Sequence, residues 1–201
     1  ETTLDPARRA LLRVKIDEYL TAGGRSGVYI LAGIDDLGAI NADYGFEIAD
    51  EAIVEIAGRL NSVIGPNDLI GRVAGTKFGI LIVDAVAETM RDASIKLMNV
   101  VRERVVESRK GGVAASISIG AVSLPDDAQN SQGAMARAEA ALDQAKDART
   151  EILANMNATI SEPRPEVAAT APKIISIIIP MDKIGEGIGP KGKVINTIQQ
   201  E

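Results

Sequence analysis

Apolar positions along this chain fall into two rhythms, and each change of rhythm marks an element. Leu69–Val73 and Phe78–Val83 are short apolar runs flanking Ala74-Gly75-Thr76-Lys77. That is the pattern of two strands joined by a tight glycine-containing turn. The second run is apolar almost throughout, which predicts a strand covered on both faces. Upstream, Ala7–Leu20 carries Leu11, Leu12, Val14, Ile16 and Leu20 as a helical stripe, with Asp5 placed to cap it and Pro6 at its first position. Gly23-Gly24 ends that helix. Val28–Ala32 is a buried strand running into Gly33-Ile34-Asp35-Asp36. Carboxylates there suit either the rim of a site or a plain helix cap.

Glu47–Ile64 repeats its apolar residues with the helical period: Ile48, Ile53, Ile56, Leu60 and Ile64 share one face. Ala87–Val106 does the same with Met90, Ala93, Leu97, Val101 and Val105 inward, leaving Arg91, Lys96, Arg102 and Arg104 as a solvated face. Gly111-Gly112 stops it, Val113–Leu124 follows as a long strand, and Asn130 or Ser131 caps a helix running through Lys146 as far as Ile160. The order is helix, strand, helix, hairpin, helix, strand, helix. It predicts an α/β (α+β) domain over residues 1–160, with a mixed, mainly antiparallel sheet and flanking helices. There is no phosphate-binding P-loop, and the order is not that of a doubly wound dinucleotide fold. Ser161–Pro172 contains three prolines and no periodicity, so it reads as a linker to a second segment, 173–201.

Composition narrows the chemistry. Across 201 residues, 46% are hydrophobic and 25% charged, ordinary for a globular protein, and aromatics are only 2%. The core must therefore be aliphatic. The net charge of −6 argues against nonspecific coating of nucleic acid. Without cysteine or histidine, disulfides, thiolate and imidazole metal sites and histidine acid–base chemistry are all excluded, leaving carboxylates as the candidate metal ligands. No apolar run approaches ~18 residues and no signal-peptide pattern opens the chain, so a cytoplasmic location without membrane contact is expected. The chain ends mid-pattern at Glu201, as a fragment would.

From about Ala10 to Lys146 the chain resembles the GGDEF domain of diguanylate cyclases. Gly33-Ile34-Asp35-Asp36-Leu37-Gly38-Ala39-Ile40-Asn41 is similar to that family's DIDxFKxxND stretch, and Tyr44–Asp50 to its YGHxxGD. Arg72–Phe78 stands where R-x-GGDEF belongs, Ser118-Ile119-Gly120 matches its SIG strand, and Arg137–Lys146 resembles RADxALYxAK. The resemblance implies the palm-like sheet shared with nucleotide cyclases and, for intact members, synthesis of cyclic di-GMP from two GTP molecules. It places two metal ions on the first Asp of DIDxFK and the acidic third residue of GGDEF, which here are Gly33 and Thr76. The fourth, acidic residue is Lys77, and the Lys of DIDxFK is Gly38. Hard cations need oxygen ligands, so Mg²⁺ binding is expected to be weak, no catalytic residue is assigned, and the cyclase reaction is expected to be lost. The inhibitory RxxD motif keeps Asp68 but has Gly65 for its arginine, so that product site is expected to be lost too.

Other positions survive. The resemblance implies that Asn41 and Asp50 bind the guanine edge and that Lys146 approaches the triphosphate, making GTP the candidate ligand. The plainer alternative is that Asn41 caps and Asp50 decorates a helix start.

The last quarter is similar to a different family. Ala145–Ile160, the linker and Ala171–Ile175 resemble bacterial polynucleotide phosphorylase where its last core helix leads into its KH domain. Lys183–Ile195 resembles that family's KIxxVIGxxGKxI, with Gly189-Pro190-Lys191-Gly192 as the GxxG loop and Lys193 beside it. Such a loop lets a nucleic-acid backbone approach the next helix. Gly187 replaces a β-branched residue, at up to about 1 kcal/mol of helix propensity. The KH pattern stops as a partial β-α-α unit, and the tail has no aromatic residue, so single-stranded RNA binding is expected to be weak. The two resemblances meet at Asp143–Arg149. Three roles follow: a non-enzymatic GGDEF-like regulatory domain with a guanine-nucleotide, protein or second-copy partner; an RNA-binding fragment; or a chimera with no joint function.

Overall fold

The structure, a computed structural model, describes residues 7–23, 25–109 and 111–162. Its central element is β1 (Gly27–Ile34), buried along its whole length. Successive side chains of a strand point to opposite faces. Thus Val28, Ile30, Ala32 and Ile34 enter one core while Tyr29 and Leu31 enter another. β1 pairs antiparallel with β3 (Lys77–Ile82) on one side and with β6 (Ile117–Leu124) on the other. β3 pairs in turn with β2 (Leu69–Ala74), giving the order β2-β3-β1-β6. Every pairing in this sheet is antiparallel, so the expected "mainly" antiparallel sheet is entirely so among the described residues. The hairpin stands where the apolar runs placed it, and Phe78, Ile80 and Leu81 are buried.

The first face carries α2 (Leu37–Tyr44), α3 (Phe46–Val63) and α4 (Ala87–Arg102). The second carries α1 (Ala7–Thr21) and α5 (Ser131–Thr159). In α1 the buried residues are Leu12, Ile16 and Tyr19; Leu11 and Val14, expected in the stripe, are exposed. The tyrosine ring takes the third inward turn, and its hydroxyl leaves the core to donate to the carbonyl of Ser26. The expected cap, Asp5-Pro6, lies outside the described residues.

The segment after α4 departs most from expectation. The helix stops at Arg102, and Val106–Ser108 (β4) pairs with Gly111–Val113 (β5) as a separate small hairpin. The cause is Arg59 of α3, which is buried and donates to the carbonyls of Val101, Arg104 and Val105 at 2.9, 2.6 and 2.9 Å. Terminal helix carbonyls need partners, and here a distant guanidinium supplies them. Val106 enters the core in place of Val105, which is exposed.

α5 begins where expected. The Asn130 carboxamide accepts the Gly133 N–H at 2.7 Å. Asp17 of α1 accepts both the N–H and the hydroxyl of Ser131 at 2.7 Å, which holds its carboxyl below the usual carboxylate range. The helix then lies directly on β6. A Cβ at Gly120 would fall 2.1 Å from the Ala138 carbonyl oxygen, so only glycine admits this approach. Among the described residues no helix is long and apolar enough to cross a membrane. The chain divides between Ala158 and Thr159. The linker beyond Glu162 and the 173–201 segment, with Gly189, Pro190, Lys191, Gly192 and Lys193, lie outside the described residues.

Candidate functional site at the end of the central strands

β1 delivers Gly33 to the sheet's end directly opposite Lys77 of β3 and Ser118 of β6. The Ile34 N–H donates to the Thr76 carbonyl and the Asp35 N–H to the Ser116 carbonyl, both at 2.9 Å, drawing the three chains together. Arg72 donates from Nε to the Gly75 carbonyl at 3.0 Å and holds the hairpin turn closed.

The two adjacent carboxylates behave differently. Asp35 is buried and accepts hydrogen bonds at 2.7 Å from the hydroxyls of Ser116 and Ser118. Arg149 of α5 places its Nε 3.6 Å from Asp35 and donates from Nη2 to Asp36 at 3.0 Å. Asp36 precedes α2 in the left-handed conformation (φ 52°), and its carboxylate makes no cap to that helix. Neither residue is a plain side-chain cap. Together with Arg149 they tie the sheet's end to α5.

Two lysines meet at this end, one facing α5 from β3 and one carried by α5 itself. Lys77 forms an ion pair with Glu139. Lys146, two turns further along α5, brings its ammonium to 3.2 Å from where a Cβ on Gly33 would stand. Lys146 makes no ion pair among the described residues. The space next to β1 that an acidic side chain at position 33 would enter is thus occupied by a cation. Among the described residues no three potential ligand side chains cluster as a metal site requires.

Asn41 and Asp50 lie on α2 and α3, joined through Gly45 at φ 94°. Asn41 is half-buried, and its Oδ1 is buried with no hydrogen-bond partner among the described residues. Asp50 lies in the second turn of α3 and is exposed. One turn before it, on the same face, Phe46 is 79% exposed. At the other end of the hairpin, Asp68 accepts from the N–H groups of Gly65 and Val83 at 2.7 and 3.0 Å, so both its oxygens serve the loop.

Residues 6–151 match the family model described as the diguanylate cyclase GGDEF domain. The chain belongs to the GGDEF family. Among solved structures, a sensory box/GGDEF family protein from Caulobacter crescentus is 25% identical, with a TM-score of 0.62 over 71% of this chain and 91% of that one. The GGDEF domain of DgcB from the same organism, in complex with c-di-GMP, is 21% identical with a TM-score of 0.66, covering 74% and 87%; this likeness shows the fold alone. A 61-residue stretch, 30% of the chain, is 64% identical to the polyribonucleotide nucleotidyltransferase of Leifsonia xyli subsp. xyli. The chain spans only 8% of that relative's length.

Within this GGDEF domain, Lys146 and Gly33, both singled out in the sequence, are brought together. Asn41 and Asp50 sit on consecutive helices. The partners Ser116, Ser118, Glu139 and Arg149 were not foreseen. Arg149 follows Lys146 by three residues on the same helix face, which is the one signal that could have found it.

Proposed function

We propose that this is a non-catalytic GGDEF domain that binds a guanine nucleotide and acts through that ligand and through protein contacts. The carrying observation is the Lys146 ammonium against Gly33. The donor set at this end, Gly33, Thr76 and Lys77, with Asp35 already taken by two hydroxyls and Arg149, does not fit a divalent cation. A cation that makes no ion pair among the described residues, beside a glycine, suits phosphate oxygens without help from Mg²⁺.

The base side keeps its recognition chemistry. The unmet Asn41 acceptor and the exposed Asp50 carboxylate match the N1–H and N2–H donors of guanine, whereas adenine presents an acceptor at N1. Phe46 offers an aromatic face one turn from Asp50.

Calorimetry of the full chain with GTP and ATP, each in Mg²⁺ and in EDTA, tests this reading, together with a product assay. GTP is expected to bind in preference to ATP, with similar affinity in EDTA, and no cyclic di-GMP should form above background. Equal affinities for the two nucleotides would overturn the site assignment, and turnover abolished by mutation in this site would overturn the non-catalytic reading. A second reading gives the tail weak single-stranded RNA affinity through Gly189–Gly192 and Lys193. It rests on the 64% identity to the polyribonucleotide nucleotidyltransferase stretch. A salt titration of RNA binding addresses it separately.

A further inference from the structure

An open groove of about 730 Å³ runs between α4 and the outer half of α5, over the edge strand β6. Its floor is Ile117 and Ile119 of β6. One wall is Met90 and Met98; the other is Ile152, Leu153 and Met156, which are 59%, 40% and 60% exposed. Three of the chain's five methionines line it. Flexible, polarizable methionine suits a surface that accepts a partner's side chains, and an exposed apolar strip of this kind marks an interaction site.

The charges choose the partner. Arg91 and Arg102 rim the groove from α4, both exposed and neither in an ion pair among the described residues. They lie three turns apart, about 16 Å along the helix. Arg149 lines the opposite wall, and no acidic residue lines the groove, in a protein whose net charge is −6. Pairing of this face with a second copy about a two-fold axis would set arginines against arginines. A helix laid in the groove would cover the edge strand β6 between α4 on the first face and α5 on the second, as amphipathic helices do in apolar grooves.

We infer that the α4–β6–α5 groove is a docking site for an acidic amphipathic helix of another protein. Its apolar anchors, at helical spacing, would meet Met98, Ile152 and Met156, and its carboxylates would meet Arg91 and Arg102. The groove shares Ser118 and Arg149 with the sheet-end cluster, where Arg149 is already paired with Asp35 and Asp36, but is lined by none of Asn41, Asp50 and Lys146.

The test uses the full chain and two labelled synthetic helical peptides of about five turns, identical in their Leu and Met anchors but carrying Glu or Lys on the flanks. Fluorescence anisotropy should show saturable binding of the Glu peptide, about tenfold or more tighter than the Lys peptide. The double reversal Arg91→Glu/Arg102→Glu should invert that preference. Ile152→Ser/Met156→Ser should weaken binding of the Glu peptide about tenfold while circular dichroism stays unchanged. No discrimination between the peptides, no binding of either, or identical binding by the reversed variant would overturn the assignment. So would self-association in sedimentation that Ile152→Ser abolishes, since the face would then belong to a second copy.

Discussion

The two sides of the candidate site have been treated in opposite ways. Around Gly33 the carboxylates are answered by the protein's own cations and hydroxyls: Asp35 by Ser116, Ser118 and Arg149, Asp36 by Arg149, and Glu139 by Lys77. Around Asn41 and Asp50 no protein partner answers the polar groups among the described residues: the Asp50 carboxylate is exposed and the Asn41 Oδ1 is buried. A buried polar atom without a partner is destabilising by roughly 1–3 kcal/mol. On the proposed reading, this acceptor is kept for a ligand. On the same proposed reading, the difference teaches that loss of metal ligands and loss of a ligand site are separable events.

The comparison can be broken at three points. Asp35→Ala should be the most damaging, because it leaves two hydroxyls and a guanidinium facing the vacated space. About 2–3 kcal/mol of stability should be lost in chemical denaturation, the partial exposure of Arg149 keeping the figure below that of a fully buried pair. Asp50→Ala should do the reverse: GTP affinity falls by about 1.5–3 kcal/mol, while stability moves by less than about 0.5 kcal/mol. Swapped outcomes, with Asp50 stabilising the fold and Asp35 setting affinity, would erase the contrast. The smallest effect belongs to Lys77 and Glu139, whose coupling in a double-mutant cycle should be about 0.2–1 kcal/mol and should fade in high salt, since both are partly exposed. A larger, salt-resistant coupling would show that this pair, and not Asp35, anchors α5.

Elements whose signal is local were legible in the sequence. The hairpin, α3 and the full run of α5 follow from apolar spacing and from the Asn130 cap. The departures on which the proposed non-catalytic reading rests, Gly33, Thr76 and Lys77, were legible because they interrupt a spaced motif. What escaped depends on partners far along the chain. Arg59 ends α4 from more than forty residues away, so the β4–β5 hairpin has no local cue. Ser116 and Ser118 reach Asp35 across 81 and 83 residues. α2 escaped for another reason: its eight residues include Gly38 and Asn41, which are poor helix formers, and packing against the sheet decides its state. In α1, apolar residues on more than one face left periodicity unable to choose the inward stripe.

α5 is 29 residues long, about 43 Å, yet its buried residues, Ser131, Ala134, Ala138 and Leu142, all lie in its first half. From Glu151 to its end every residue is exposed. Helical segments that short do not persist alone in water, since nucleating the first turn is unfavourable. The outer turns are therefore a seeded structure, grown from a template that Gly120 lets settle on the sheet. Fraying must run inward from Thr159, and the boundary it meets is Arg149, tied to Asp35 and Asp36. The zipper closes only as far as that clasp holds it, so the length of the rod is a readout of two aspartates at its foot.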